Sequence, residues 1–510
     1  MESDLAVPDA GITSDDWQRT PPAVQQLVLH LLQRLTALEQ EVAALRAEND
    51  QLHEQVRRSS RNSSQPPSQD APAAPRRPLR EPSGKKRGGQ PGHERHERSL
   101  YPDEQCASVA DHRPDRCQAC GQALSGDDPR PHRHQVVEVP QVRPRVDEHR
   151  LHRWVCPACG TVTRATLPVG VPISGFGPRL VAVVGLLSGA YRQSERQVQQ
   201  ALADLYGIDV ALGTIDALRQ EASQALAEAV DAATAYAQSQ PVAHADETGW
   251  RQGDADGGNA AKRKAWLWVM VTPWVTVFQI HLGRGQAAAN ELLGAFAGHL
   301  VTDRWSGYGG HPWAKRQLCW AHLIREFRKM AERSGGSQVI GEGLLEVARR
   351  LFAGWARVRD GTLARADWAA EVKQLRAELR RWLTWGADPT LAGESAAGAK
   401  TARTCRDLLK VDDALWRFVA VDGLEPTNNA AERALRGAVI WRRTSLGTQS
   451  AAGSRFVARM LTAVATLRAQ GRSVLAYLTQ ACEAARQGMP SPSLLPDACL
   501  APKHHLATST

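Results

Sequence analysis

The sequence predicts a multidomain chain: an N-terminal coiled coil, a zinc ribbon, a helix-turn-helix, then an α/β core interrupted by an α-helical insertion. Three observations predict it. Apolar residues near the N-terminus recur in heptads, two Cys-x-x-Cys pairs follow, and later β-rich apolar runs end in carboxylates in a strand, helix, strand order. With 510 residues, 42% of them hydrophobic, the chain can bury several cores.

The apolar residues Val24, Val28, Leu31, Leu35, Leu38, Val42, Leu45, Leu52 and Val56 are spaced in alternating steps of four and three, so residues 24–56 read as a coiled coil. With Leu31, Leu38, Leu45 and Leu52 at d, Asn49 falls at a. A parallel pair would then match Arg34 with Glu39, Glu41 with Arg46 and Glu48 with His53, with no like-charge clash. The expected partner is a second copy in a parallel homodimer through residues 24–56.

Between Arg57 and Arg98 eleven Arg or Lys face four acids, supplying +7 of the chain's net +9. Rich also in Ser, Pro and Gly, residues 57–98 read as a basic disordered linker whose Lys85, Lys86 and Arg87 would track the phosphates of DNA. Nine cysteines do not pair evenly, and the N-terminus lacks the basic and apolar regions of a secretory signal, which predicts a reducing, cytoplasmic setting. The longest apolar tract, 265–282, is broken by Pro273 and reads as a buried hairpin, so no membrane is expected as a partner.

Residues 100–170 carry Cys117-Gln-Ala-Cys120-Gly121 and Cys156-Pro-Ala-Cys159-Gly160. A two-residue spacing lets both sulfurs of a pair reach one tetrahedral ion, and the glycine permits the tight turn. One structural Zn²⁺ on Cys117, Cys120, Cys156 and Cys159 is expected, with strands at 135–139 and 150–155; four thiolates leave no position open for catalysis. His132 and His134 read either as substitute ligands or as plain surface residues.

Within 176–235, Ser194-Glu-Arg-Gln197 is a capping box for a helix ending near Tyr206, and Gly207 stops it. A turn ending at the cap Thr214 and a helix from about Ile215 complete a helix-turn-helix pattern that any helical hairpin shares. If it binds DNA, Asp216, Arg219 and Gln220 would face the groove.

The core, 240–325 and 425–445, opens on a short apolar run that ends in Asp246 and Glu247. The hairpin follows, then a helix over 286–297, a strand over 299–303 ending in Asp303, a strand over 316–319 and a helix over 323–331. This is the order of a ribonuclease H-like fold, in which the first and fourth strands are neighbours, so Asp246 and Asp303 would lie side by side. Residues 326–424 read as a helical insertion, after which Glu432 returns on a helix that Thr427, Asn428 or Asn429 could cap. Helices over 450–487 and a disordered tail over 488–510 complete the chain.

The coiled coil, Asn-Ser-Ser-Gln-Pro-Pro-Ser at 62–68, Gly88-Gly-Gln-Pro-Gly-His93, the paired Cys knuckles and the helix-turn-helix are followed in order by His244-Ala-Asp-Glu-Thr248, Arg284-Gly-Gln-Ala287, Asp303 with Tyr308, Cys319-Trp-Ala-His322 with Arg325-Glu326, and Asn428-Asn-Ala-Ala-Glu-Arg-Ala-Leu-Arg436. On these motifs, over roughly 31–477, the chain resembles the insertion-sequence-sixty-six family of bacterial DDE transposases. The resemblance implies an enzyme that binds terminal inverted repeats and target DNA in the bacterial nucleoid and performs metal-dependent cleavage and strand transfer. Asp246, Asp303 and Glu432 would be its catalytic triad, holding two Mg²⁺ or Mn²⁺. Arg433 and Arg436 would clamp phosphates, His322 would contact the scissile phosphate or merely pack, and helper proteins of the same element are potential further partners. The rival reading is a non-catalytic regulator built from the ribbon, helix-turn-helix and coiled coil, or a decayed transposase. It leaves three matched carboxylates unexplained.

Overall fold

The computed structural model describes residues 13–57, 98–394 and 396–497; most of the basic linker, with Lys85, Lys86 and Arg87, lies outside the described residues, as does 498–510. After the short α1 (Ser14–Gln18), α2 (Pro22–Arg57) runs unbroken through the predicted heptads. Its Leu31, Leu38 and Leu45 are 55%, 54% and 56% exposed, so the apolar seam is not consumed by packing within one chain.

The chain divides into two compact units, one of Pro75–Gly175 with Gln193–Leu218, the other of Met1–Ala74, Phe176–Arg192 and Arg219–Thr510. In the first, β1 (Arg153–Val155) and β2 (Val162–Arg164) form an antiparallel pair around the second cysteine knuckle. The strand expected at 135–139 does not form. Val136, Val137 and Val139 are all exposed there, so the β-rich run has no sheet edge to pair with and no face to bury.

Beyond α3 (Pro178–Gly185), α4 (Glu195–Tyr206) carries the predicted capping box: the Ser194 hydroxyl accepts the Gln197 N–H, and the Gln197 side chain reaches back to Ser194. The following helix, α5 (Leu212–Ala225), starts three residues before the expected Ile215. Gln199 reaches across to the Val210 carbonyl at 2.8 Å and closes the turn early, so Thr214 lies inside the first turn instead of capping it.

After α6 (Ala227–Gln238) comes the central sheet: β3 (Val242–Trp250), β4 (Ala265–Val271), β5 (Thr276–His281), then α7 (Gln286–Leu293), β6 (His299–Thr302) and β7 (Arg316–Leu318). The spatial order is β5-β4-β3-β6-β7, with the first three antiparallel and the last two parallel to β3. The expected neighbours, first and fourth strands, do lie together. The apolar tract 265–282 is the buried hairpin, and the open edge of β5 is closed by the helix Ala451–Ala469, whose Thr462 and Thr466 hydroxyls accept the N–H groups of Phe278 and Thr276 at 2.9 and 3.1 Å. Edge strands need such cover, because unpaired N–H groups would otherwise template another strand.

A run of helices follows: α8 (Trp320–Ala331), α9 (Gly336–Arg359), α10 (Arg365–Gly386), α11 (Pro389–Glu394), α12 (Ala396–Lys410) and α13 (Asp413–Ala420). Trp320, Trp355, Trp368, Trp416 and Phe418 interlock at its centre with ring centroids 5.1–5.7 Å apart, a geometry in which each aromatic pair adds about 0.5–1.5 kcal/mol beyond area burial. Gly341 lets α9 cross directly over the Ala331 backbone, where a Cβ would collide. The chain then returns through α14 (Asn429–Ser445), α15 (Ala451–Ala469) and α16 (Val474–Arg486).

The disordered tail expected from residue 488 is corrected for 488–497. Leu494 is fully buried, Gln470 donates to its carbonyl at 2.9 Å, and Arg472 donates to the Ser493 carbonyl at 2.9 Å. One apolar anchor and these donors order a stretch whose composition reads as a tail.

Candidate active site

The parallel pairing of β3 with β6 ends at His244 opposite Val301. Asp246 stands two residues further along β3, and Asp303 two residues beyond Val301, just past the end of β6 at Thr302, so the register carried forward brings the two level. Asp246 is not at a strand end as the sequence suggested. Strand β3 continues to Trp250 because its antiparallel pairing with β4 persists, Asp246 facing Val269 and Trp250 facing Ala265. The parallel neighbour stops, and the sheet opens on that side only.

Burial, then the charges of Glu247 and Asp303, and to a smaller extent that of Glu432, hold the Asp246 carboxyl well above the usual carboxylate range, although its Oδ1 accepts the Glu247 N–H at 2.9 Å. The charges of Asp303 and Glu432, from outside β3, thus both reach Asp246. Asp303 is pinned on both sides: its Oδ1 accepts the Trp305 N–H at 2.8 Å, while buried Arg316 donates to its carbonyl at 3.0 Å and to the Thr302 hydroxyl at 2.9 Å.

Glu432 lies in the first turn of α14. Of Thr427, Asn428 and Asn429, each of which the sequence offered as cap, Asn428 holds the position, but its side chain makes no cap bond. Fully buried, it donates from Nδ2 to the Ala245 carbonyl at 2.7 Å and meets His244 Nδ1 at 3.3 Å, while its own N–H donates to Cys319 Sγ at 3.1 Å. The start of α14 is therefore tied to β3 one residue from Asp246, and to the start of α8. Glu432 Oε1 lies 3.7 Å from His322 Nδ1 and 3.9 Å from Arg325, and neither that oxygen nor Nδ1 has a hydrogen-bond partner although both atoms are buried. Burial and the Arg325 charge lower the His322 pKa, and burial pushes the Cys319 thiol up to about 11.

Glu247 points to the opposite face of β3 from Asp246, as strand alternation requires. Buried there, it accepts from Arg284 at 2.9 Å and from the Tyr308 hydroxyl at 2.6 Å, and Arg284 lies between the rings of Trp266 and Trp305 at 4.6 and 4.1 Å. Burial raises the Glu247 pKa in spite of both donors, and burial with the Glu247 charge keeps the Tyr308 hydroxyl protonated. Sequence reasoning gave Glu247, Arg284, Tyr308 and Asn428 no such roles. The available signal was a second acid beside Asp246 in a strand, which must find partners on the other face.

Arg433 and Arg436 are exposed on α14, one and four residues after Glu432. Arg219, expected to face a groove, has its guanidinium over the Phe456 ring at 4.6 Å, while Asp216 is half-buried and Gln220 exposed. Each cysteine pair forms a knuckle, with the Gly121 and Gly160 N–H groups donating to the Cys117 and Cys156 carbonyls and both glycines at the positive φ that the turn requires, 74° and 70°. The N–H groups of Cys120 and Ala119 lower the Cys117 thiol, and the Thr161 hydroxyl lowers Cys159, which suits thiolate ligation. The four sulfurs are not gathered on one centre: among the described residues, the ligand atoms that come together within 4.8 Å as a group of three are those of Cys319, His322 and Glu432. Among these residues, too, no helix is long and apolar enough to cross a membrane.

Comparison with known proteins adds a family to this geometry. Residues 174–455, more than half of the chain and all of the sheet, match a family described as Transposase IS66 family, and residues 19–99 match a family of unknown function. An uncharacterized protein of Sinorhizobium fredii, y4qI, is 28% identical over 259 residues, a stretch covering 46% of this chain and 46% of that relative's length.

Proposed function

The chain belongs to the IS66 family of transposases, and from that premise we propose that it is the DNA transposase of an insertion sequence, cutting and joining DNA at terminal inverted repeats on a ribonuclease H-like core. The observation that carries this reading is the register that brings Asp246, on β3, level with Asp303, just past the end of the parallel strand β6, with Glu432 close enough for its charge to act on Asp246. A buried carboxylate repelled by two others, one of which has a buried oxygen lacking a hydrogen-bond partner, is a hard-oxygen donor set suited to Mg²⁺ or Mn²⁺. Asp246, Asp303 and Glu432 would hold two such ions, which when bound stabilise the attacking and leaving oxygens of an in-line displacement.

The chain's own residues supply the geometry. Arg316 and the Trp305 N–H fix Asp303, Asn428 fixes the turn that carries Glu432, and the Glu247–Arg284–Tyr308 network braces β3 from its other face. Exposed Arg433 and Arg436 hold backbone phosphates beside the carboxylates. The basic arm adds sequence-independent DNA affinity, with Lys85, Lys86 and Arg87 as contacts. The two knuckles, whose sulfurs are not gathered on one centre here, would close on one structural Zn²⁺ when it binds, and α2 pairs with a second copy so that two DNA ends are held together.

The test is cleavage of terminal-repeat DNA by Asp246→Asn, Asp303→Asn and Glu432→Gln. Each is expected to lose Mg²⁺-dependent cleavage while binding DNA nearly as wild type, since affinity comes mostly from Lys and Arg. Wild-type cleavage by Glu432→Gln would overturn the assignment.

A further inference from the structure

We infer that Cys319, His322 and Glu432 form a separate site for a thiophilic divalent cation such as Zn²⁺ or Cd²⁺, and that its occupation withdraws Glu432 from the carboxylate set and stops Mg²⁺-dependent cleavage. The switch rests on the role proposed above for Glu432. The site does not.

One ligand atom from each of the three residues lies within 4.8 Å of the others. Cys319 is the cap residue of α8 and His322 stands three residues on, the spacing at which cap and third-residue side chains meet on one side of the first turn. Glu432 enters from the first turn of α14, which the Asn428 N–H to Cys319 Sγ bond holds against α8. Nδ1 of His322 and Oε1 of Glu432 are 3.7 Å apart, too far for a hydrogen bond, and both are buried without a partner. Nitrogen and oxygen ligands on a tetrahedral Zn²⁺ stand about 3.3–3.5 Å apart, so the gap needs to close by only a few tenths of an ångström around an ion.

The donor set chooses the ion. A thiolate and an imidazole favour Zn²⁺ or Cd²⁺ over Mg²⁺, which takes oxygen ligands almost exclusively. Binding converts the Cys319 thiol to a metal-bound thiolate and releases its proton to solvent, one proton for each ion bound. Three protein ligands leave a fourth position for water. With Oε1 engaged by this ion, the charge of Glu432 is neutralised locally and is no longer offered to the cation beside Asp246 and Asp303.

The experiment titrates full-length protein with Cd²⁺ and follows the ultraviolet cadmium–thiolate band in wild type, Cys319→Ser and His322→Gln. The four knuckle cysteines contribute equally to all three proteins. Wild type is expected to show one additional thiolate's absorbance per chain over Cys319→Ser. His322→Gln is expected to weaken that phase about tenfold or more, the loss seen even for outer-shell partners, and it reports on the site if the serine variant does not fold. In parallel, Cd²⁺ should inhibit wild-type Mg²⁺-dependent cleavage of terminal-repeat DNA and should need about tenfold higher concentration against either variant, each measured relative to its own uninhibited rate. Superimposable titrations of all three proteins would overturn the site. An additional thiolate phase with no inhibition would overturn the switch, and absence of any wild-type cleavage with Mg²⁺ would sink the proposed chemistry and the switch together while the titration still decides the site.

Discussion

Asn428→Ala probes the tie on which the geometry of Glu432 depends. The substitution removes the 2.7 Å bond from Nδ2 to the Ala245 carbonyl and the 3.3 Å contact with His244, but leaves the backbone bond to Cys319 Sγ in place. Ala245 is fully buried, so its carbonyl loses a donor that water replaces poorly, at about 1–3 kcal/mol; the lost His244 contact adds about 1 kcal/mol. The expected destabilisation is therefore about 2–4 kcal/mol. It should appear as a lower urea midpoint for the unit that contains the sheet, with an unchanged slope. The effect on rate should be larger than the effect on stability. Glu432 follows Asn428 by one helical turn, and a displacement of about 1 Å at a reacting centre costs about 10²-fold. Cleavage of terminal-repeat DNA per folded molecule should fall by that order, with DNA affinity retained. Asn428→Asp, which keeps the shape but removes the Nδ2 donor, should behave similarly. A wild-type urea midpoint in Asn428→Ala would show that the bond carries no stability. A lower midpoint with an unchanged rate per folded molecule would refute the positioning argument.

Metal analysis of purified protein should find about one more equivalent of zinc in wild type than in Cys120→Ser, since a structural site loses its ion and local fold together; equal zinc in the two proteins would move the ligands elsewhere. A peptide of residues 20–58 should sediment as a dimer whose N-terminal label reports the partner's N-terminus nearby, and a monomer at tens of micromolar or an antiparallel signal would overturn the parallel pairing. Asp256 accepts the N–H groups of Ala451 and Ala452 at 3.0 and 2.9 Å, and these bonds lower its carboxyl below the ordinary 3.8. A depressed folded-state pKa stabilises above the unfolded value and is lost as pH falls through the folded one. Asp256→Asn should therefore be less stable than wild type near neutrality, and the gap in urea midpoint should close as pH falls below about 4. A gap independent of pH would mean that the charge plays no part.

The continuous helix α2, the capping box of α4, the buried hairpin and the cysteine knuckles were legible because each rests on local periodicity or on a turn that a few residues specify. The expected strand at 135–139 that does not form and the ordered residues 488–497 mark the limit of such reasoning. β-branched side chains do not form a strand without an edge to join, and a polar tail is ordered when one leucine finds a pocket. The start of α5 moved because Gln199, eleven residues from the carbonyl it meets, closed the turn.

The sequence by itself, through the element order it shares with a ribonuclease H-like fold, made the strands that carry Asp246 and Asp303 neighbours, because local patterns fix which elements form and in what order; the register that brings the two level came from the structure. Only the tertiary structure decided that Asp246 lies within a strand rather than at its end, since the antiparallel pairing with β4 outlasts the parallel one with β6. It also decided what Asn428 does. Local rules make an asparagine before a helix a cap, yet here its amide spans to β3, because a buried carbonyl at Ala245 lies within reach and an unsatisfied one would be costly. The convergence of Cys319, His322 and Glu432 likewise follows from two helix starts docked through that one asparagine, a contact between residues 109 apart that no local pattern encodes.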